Sequence, residues 1–275
     1  MDSLLRTTAS RRRLLMTSAS LALAGCTVFL SDPHTGARTE LAHAGKLRAA
    51  INLGNPILAS RGPDGTPQGV SVDLAREAAR RLQVALELVP FDSAGAVVAA
   101  MQAHQVDLAF VAIDPVRGAD MAYTPAYVII EGAYLVRDGS ALQRNDEVDR
   151  AGTRVAVGRG SAYDLFLARE LKAATIVRAP TSPAVTDLFL AQGLDVAAGV
   201  RQQLEADARR VGGVRLLPGR FMVIEQAMAV CKGCSQAQDW LSQFIAEMKS
   251  SGFVADSLKR HGIEGAAVAP PAAAP

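Results

Sequence analysis

The chain has 275 residues, with 29 basic and 27 acidic side chains and a formal net charge of +2. Hydrophobic residues make up 49% of it, charged residues 20% and aromatic residues 5%. This length allows one large domain or two small ones, and the composition excludes a disordered or highly charged chain. The balanced charge and the few aromatic side chains also argue against binding to nucleic acid.

The first residues have the pattern of a secretory signal. Arginines at positions 6 and 11–13 precede an apolar stretch at 14–24, which is too short to cross a bilayer. Leu-Ala-Gly-Cys at 23–26 is similar to the bacterial lipobox, whose cysteine is diacylated and becomes the first mature residue. We therefore expect a signal peptide over 1–25 and lipidation at Cys26. The arginine cluster also resembles a twin-arginine signal, so the export route stays open.

Residues 26–44 and 263–275 show no helical or strand period. The first segment is predicted to be the lipid anchor and a linker, and the Ala/Pro-rich second segment a disordered tail. Removing 1–25 takes away four basic residues and one acidic residue, so the rest of the chain is close to neutral.

Apolar periodicity predicts two successive series of alternating strands and helices. The first series has strands at 47–53, 86–89 and 106–113, with helices at 72–82 and 97–103. The second has strands at 154–157, 175–177 and 195–200, with helices at 163–171 and 184–190. Such alternation indicates parallel sheets covered by helices on both faces.

Two further apolar runs, 132–136 and 227–230, are candidate crossovers between the series. The predicted fold class is therefore α/β, with two doubly wound lobes joined by a two-strand hinge. Lobe 1 is expected at 45–136 plus 225–262, ending in a helix at 237–248, and lobe 2 at 137–224. Ligands bind such sheets at the carboxyl ends of the strands, and two connections allow a hinge motion.

The usual catalytic and metal-binding signatures are absent from the sequence. Four histidines are scattered, and none is grouped with cysteines or carboxylates at metal-ligand spacing. Gly158-Arg159-Gly160 is similar to the start of a dinucleotide fingerprint, but the third glycine position is Tyr163, whose bulk opposes close packing of helix and strand. We expect neither a metal nor a cofactor.

Cys231 and Cys234 form a Cys-Lys-Gly-Cys motif late in the chain. In an exported protein such a pair can oxidise to a small local disulfide. A redox-active pair is the alternative, although that motif usually opens a helix in a thioredoxin-like unit. Whether the two cysteines are paired is left open, and a structural or incidental role is expected.

Two helix starts at strand ends are candidate anion sites. Asp114-Pro115 is predicted to begin a helix after the strand 106–113, with Arg117 in the first turn. A cation there opposes the helix dipole unless an anion lies nearby. The alternative is an exposed arginine paired with Asp114 or Asp120.

The second helix start is Gly160-Ser161, which follows the strand 154–157. Free amides and a hydroxyl there form an anion nest, with Asp164 completing a capping box. Helix capping alone is the alternative role for Ser161.

Five segments in order resemble landmarks of family 3 bacterial solute-binding proteins. They are GKLR at 45–48, GVSVDLA at 69–75, VDLA at 106–109, DPVR at 114–117 and VAVGRGS at 155–161. The resemblance covers 45–262. It implies two lobes that close around a small solute, often an amino acid, for a permease of the ATP-binding cassette class. It also implies that Arg117 holds the ligand carboxylate with help from the Gly160-Ser161 turn.

The chain departs from the family pattern at several ligand positions. Asp114 stands where the family has threonine, and Asn55 and Leu58 replace aromatic residues around a retained proline. The acid that usually takes the ligand ammonium falls at Gly199 or Val200. An ordinary α-amino acid is therefore in doubt, unless Asp114 or Glu131 supplies that charge, and Glu131 is alternatively a hinge surface residue. The candidate ligand-binding residues are Arg117, Ser161, Gly160, Asp114, Asn55 and Glu131.

The main functional prediction is a monomeric, lipid-anchored solute-binding protein in the periplasm or cell envelope, without enzymatic activity. It would capture a small polar carboxylate, an amino acid or a related organic acid. One alternative is an exported enzyme on the same scaffold, resembling cyclohexadienyl dehydratase, with Glu131 as general acid. The other is a ligand-sensing input protein that acts through a partner.

Overall fold

The structure is a computed structural model that describes residues 34–271. The predicted signal peptide and Cys26 lie outside the described residues. The strands are β1 (Lys46–Asn52), β2 (Ser60–Arg61), β3 (Pro67–Gln68), β4 (Ala85–Phe91), β5 (Leu108–Ala112), β6 (Met121–Tyr123), β7 (Val128–Arg137), β8 (Arg154–Gly158), β9 (Thr175–Ala179), β10 (Val196–Val200), β11 (Val214–Leu216), β12 (Met222–Cys231) and β13 (Ala267–Val268). The helices are α1 (Thr35–Leu41), α2 (Val70–Leu82), α3 (Ala94–Gln102), α4 (Ala162–Glu170), α5 (Val185–Ala191), α6 (Arg201–Val211), α7 (Ser235–Ser250) and α8 (Phe253–Arg260).

The main sheet runs in the order β4-β1-β5-β12-β7-β10-β8-β9. Strands β4, β1 and β5 are parallel and form the first half, while β10, β8 and β9 are parallel and form the second half. Between them, the ten-residue strands β12 and β7 pair antiparallel. The two predicted crossovers are therefore long paired strands, and hydrogen bonding continues through them from one half to the other.

Helices cover both faces of each half, as the alternating pattern predicts. On one face of the first half, α2, α7 and α8 bury residues such as Leu74, Leu241 and Val254 in the largest core. On the other face α3 packs Val97 and Met101 into a smaller core. In the second half α4 contributes to the largest core, and α5 and α6 close a third core on the opposite face. This arrangement is the mixed α/β fold of two lobes joined by a two-strand hinge.

The segment before β1 is folded, in contrast to the predicted linker. Helix α1 buries Ala37 and Leu41 and lies against α7. The Trp240 indole N–H donates to His34 Nδ1 at 2.6 Å, and the backbone N–H of Ala237 donates to Glu40 Oε2 at 2.7 Å. Seven residues are too few to show a helical period, so this helix depends on its packing against α7.

The predicted disordered tail is also packed as far as residue 271. Strand β13 pairs with the start of β7, opposite Val128 and Ile129, and Ala269 is buried. The Lys249 ammonium donates to the carbonyl oxygen of Pro270 at 2.8 Å. The Ala/Pro-rich sequence did not indicate this strand, because the strand is held by backbone pairing, which does not require particular side chains.

One local prediction differs in detail, and the structure gives the cysteine pairing that the sequence left open. Arg117 begins a 3₁₀ turn, Arg117–Ala119, where a longer helix was predicted. Cys231 and Cys234 have Cα atoms 5.5 Å apart and are joined as a disulfide at the end of β12. The pair closes the turn that leads into α7.

Candidate functional site

A small cavity of about 30 Å³ lies between the two halves of the sheet. The carboxyl ends of β1, β5, β8 and β10 reach it, together with the middle of β12. The residues that line the cavity from these strands and the turns after them include Asn55, Ala112, Ser161, Val200 and Gln226. Parallel strands present their carboxyl ends on one edge, so the fold brings these chain-distant residues together.

Arg117 is the cation of this cavity, and it is only 4% exposed. Its Nη1 donates to the carbonyl oxygen of Ala112 at 3.1 Å, within its own half. Its Nη2 donates to the carbonyl oxygen of Gly160 at 2.7 Å, on the opposite half. Burial lowers the pKa of Arg117 from its usual value. Among the described residues the guanidinium has no ion pair at contact distance, and two carbonyl oxygens accept its hydrogen bonds. The negative charge of the nearby Asp114 offsets only part of the effect of burial on its pKa.

The Gly160-Ser161 turn forms the facing wall. Ser161 is the N-cap of α4, and its hydroxyl accepts from the backbone N–H of Asp164 at 3.0 Å. Asp164 Oδ2 accepts from the backbone N–H of Gly160, the residue before the N-cap, at 2.8 Å, and the N–H of Ser161 donates to the carbonyl oxygen of Gly158 at 3.0 Å. The predicted capping box, which needs the N–H of Ser161, is therefore not formed, and the two amides expected to be free are engaged within the turn. Gly160 has φ +66°, and a Cβ built on it would lie 3.1 Å from the Cα of Gly95 on α3. Backbone from the two halves therefore meets closely here.

Asp114 is buried beside the cavity but is not among the residues that line it. Its Oδ1 accepts from the backbone N–H of Val116 at 2.8 Å and so caps the turn that carries Arg117. Its Oδ2 lies 3.0 Å from Nη2 of Arg169 on α4, which belongs to the second half. Asp114 thus forms an ion pair across the cleft, a role that its sequence position did not indicate.

Glu131 lies away from the cavity, on the hinge strand β7. Arg201 Nε and Arg220 Nη1 contact its two carboxylate oxygens at 2.8 and 2.7 Å. Hydrogen bonds from Arg220 and then Arg201 hold the pKa of Glu131 below its usual value. The structure therefore places Glu131 in a hinge ion-pair cluster, which was the alternative considered for it.

Asn55 lines the cavity as expected, and its Oδ1 is buried without a hydrogen bond to any described residue. Sequence reasoning missed Gln226, which is 6% exposed and also lines the cavity. Its side-chain amide makes no hydrogen bond to any of residues 34–271 and faces the cavity. The sequence feature that could have indicated Gln226 is its position as a polar residue directly before the apolar run 227–230.

Three helices begin at the cavity, which is lined by Ala94 at the start of α3, Ala162 at the start of α4 and Val200 before α6. Helix N-termini carry partial positive charge. Together with Arg117 they make the cavity electropositive, and no carboxylate from the described residues lines it. The arrangement is suited to hold an anion.

Neither a metal centre nor a membrane span is found in the described part of the chain. Residues 34–271 contain no group of three or more His, Cys, Asp or Glu side chains placed to hold a metal ion. Within the same residues, no helix has both the length and the apolar character that crossing a bilayer requires.

Solved structures share this fold over most of the chain. A mutant of ArgBP from T. maritima is 20% identical with a TM-score of 0.72, covering 83% of this chain and 100% of that chain. A solute receptor for L-cysteine of Neisseria gonorrhoeae is 18% identical with a TM-score of 0.71, covering 81% of this chain and 92% of that chain. An ancestral amino acid-binding protein, a precursor of cyclohexadienyl dehydratase, is 19% identical with a TM-score of 0.69, covering 81% of this chain and 97% of that chain.

At these identities the structures show the fold alone. No curated protein matches the chain. Residues 47–263, which include every cavity residue named above, match the family of bacterial extracellular solute-binding proteins, family 3. A match over this much of the chain shows that the protein belongs to the bacterial extracellular solute-binding proteins of family 3.

Proposed function

We propose that this protein is an exported lipoprotein that captures a small polar carboxylate between its two lobes and delivers it to the permease of an ABC transporter. Arg117 is the observation that carries the proposal, because its buried guanidinium, which has no ion pair within residues 34–271, faces the cavity between the halves. A carboxylate can take two parallel hydrogen bonds from such a group.

Closure of the lobes is the proposed mechanism of capture. The two proposed lobes are 45–136 with 225–262, and 137–224. Arg117 belongs to the first, and the Gly160-Ser161 turn belongs to the second. A carboxylate that accepts from Arg117 and lies against the start of α4 would bind both lobes at once, so binding favours the closed state.

Lipid attachment at Cys26 is the proposed link to the membrane. It is supported by the lipobox after a short apolar stretch and by membership of an extracellular family. Two or more acyl chains would hold the protein stably, since each buried CH₂ contributes about 0.8 kcal/mol. The proposed location is the periplasmic or outer face of the cell envelope, with a monomeric protein.

One observation favours the enzymatic alternative: a precursor of cyclohexadienyl dehydratase is among the structural neighbours. That alternative needs Glu131 as a general acid, and a general acid must carry a proton. Two arginines lower the pKa of Glu131 and hold both of its oxygens outside the cavity. This argues against the dehydratase, which turnover of prephenate-like acids would reveal. A sensing role would use the same binding step with a different partner.

The proposal is tested by removing the Arg117 guanidinium. Native mass spectrometry of the purified protein identifies the co-purified molecule, and calorimetry then measures its affinity for each variant. Truncating one partner of a buried charge pair costs roughly 2 to 5 kcal/mol, so Arg117→Ala should weaken binding by about 30-fold to several thousand-fold. Lysine should rescue poorly, because an ammonium lacks the bidentate geometry.

Arg220→Ala is the matched control, because it removes an arginine that pairs with Glu131 outside the cavity. Thermal unfolding must show that each variant is folded. A folded Arg117→Ala protein that binds as tightly as the wild type would contradict the proposed site.

A further inference from the structure

We propose that the ligand of this cavity is a small organic anion without an ammonium group, such as a hydroxy acid, and that the site discriminates against α-amino acids. This inference rests on the proposed function and specifies the class of its ligand. Three observations carry it: the charge balance of the cavity, the partners of the nearby acids, and two neutral amides without partners.

The first observation is the net positive charge of the cavity lining. Arg117 is the one charged side chain among the described residues that line the cavity, and the starts of α3, α4 and α6 add partial positive charge. A monoanion would make the closed site neutral. A zwitterion would leave a net positive charge buried between the halves, and an uncompensated buried charge is strongly unfavourable.

The nearby acids have no free oxygen for an ammonium group, although the charge of Asp114 acts on Arg117 from beside the cavity. Asp114 and Glu131 were the two candidates to receive an ammonium. Asp114 uses its two oxygens on the N–H of Val116 and on Arg169. Glu131 uses its two oxygens on Arg201 and Arg220 and lies outside the cavity. An ammonium would have to break one of these ion pairs to gain a carboxylate.

The polar groups that remain are neutral. Gln226 is 6% exposed as a residue and lines the cavity, and its side-chain amide has no hydrogen bond to a described residue. Asn55 Oδ1 is buried at the same cavity and accepts no hydrogen bond from residues 34–271. A buried amide oxygen without a partner, beside an amide that faces the cavity, indicates a ligand that completes these hydrogen bonds. An amide both donates and accepts, which suits a hydroxyl or a keto oxygen.

Matched pairs of probes test the inference. The purified protein is stripped of co-purified molecules by unfolding and refolded, and calorimetry is run with L-lactate against L-alanine, L-2-hydroxyisocaproate against L-leucine, and L-phenyllactate against L-phenylalanine. Each pair differs only in a hydroxyl or an ammonium at one carbon. For every pair that binds, we expect the hydroxy acid to bind at least about tenfold more tightly.

Val200→Asp provides the reverse test. Val200 lines the cavity and precedes α6 without a side-chain cap, a position where aspartate or asparagine is favoured. The added carboxylate should shift the preference toward the amino acid of each pair by about tenfold or more. Val200→Asn is the matched neutral control and should keep the wild-type preference.

The outcomes separate this inference from the proposed function. If the amino acids bind as tightly as their hydroxy acid partners, or more tightly, the inference fails while carboxylate capture stands. The inference also fails if Val200→Asp, shown to be folded by thermal unfolding, keeps the wild-type preference. If no carboxylate probe binds to the folded protein, the proposed function fails together with the inference.

Discussion

Asp114 connects the two halves through a single carboxylate. Its pair with Arg169 joins the end of β5 to α4, and Arg169 has a side chain 37% exposed while that of Asp114 is 5% exposed. Such a half-exposed pair contributes about 1 kcal/mol. Because the pair exists only while the halves are together, its contribution favours the closed state and therefore ligand affinity.

Asp114→Asn keeps an oxygen to cap Val116 and removes the charge. We expect ligand affinity to fall about fivefold in calorimetry, which corresponds to the loss of this pair. Arg169→Met should have a similar effect, and the double variant should be no worse than either single variant. Additive losses would contradict a direct coupling between the two side chains.

At the residue scale, the sequence indicated the cavity residues that lie next to a recognisable strand end or turn. Arg117, Gly160 and Ser161 lie at strand ends beside turn signals, and the structure brings them to one cavity. Glu131 could not be placed, because the arginines that hold it come from positions 201 and 220. Pairing between distant residues depends on the tertiary fold, which one-dimensional spacing does not contain.

Asp73 determines how the last helix is attached. It lies in the first turn of α2 and accepts hydrogen bonds from Ser257 Oγ at 2.6 Å and from Arg260 Nη2 at 2.9 Å, both on α8. His261 Nε2 lies 3.0 Å from the same oxygen. Burial alone would raise the pKa of Asp73, but hydrogen bonds from Ser257, Arg260 and His261 outweigh it and lower the pKa from 3.8.

The lowered pKa makes this attachment sensitive to acid. The stability from Asp73 is fully present above its usual pKa of 3.8 and is lost as the pH falls through the lower folded value. At pH 7, Asp73→Asn should reduce the free energy of unfolding by about 1 to 3 kcal/mol. The difference between the wild type and this variant should shrink in denaturant titrations at pH 3. A difference that stays constant with pH would contradict the ionic attachment.

At the element scale, long apolar-patterned segments were predictable and short ones were not. The predicted helix at 72–82 corresponds to Val70–Leu82, and the predicted strand at 154–157 to Arg154–Gly158. Helix α1 and strand β13 were assigned to a linker and a tail, because seven and two residues show no period. Both are stabilised by elements that lie far away in sequence.

At the largest scale, the two halves of the described chain meet in close backbone contact at Gly160. A side chain there would be strained at φ +66° and would press its Cβ against Gly95 on the opposite half. Gly193 has a similar φ of +58°, and a Cβ on it would meet no atom within 4 Å. Substitutions at the two glycines can therefore be compared to separate the effect of local backbone strain from the effect of blocked lobe closure.

Both Gly160→Ala and Gly193→Ala should lower the free energy of unfolding by about 1 kcal/mol. Only Gly160→Ala should also increase the radius of gyration in small-angle X-ray scattering and weaken ligand binding. Equal scattering and equal affinity for the two variants would show that close approach at this turn is not needed for closure.

The order of strands along the chain also has a mechanical consequence. Helix α1 packs on α7 and strand β13 pairs with β7, so both ends of the described chain are fastened to the first half. The second half is one uninterrupted stretch of chain that departs through β7 and returns through β12. A pulling force applied at residues 34 and 271 would load the first half and leave the second half shielded until β7 and β12 separate.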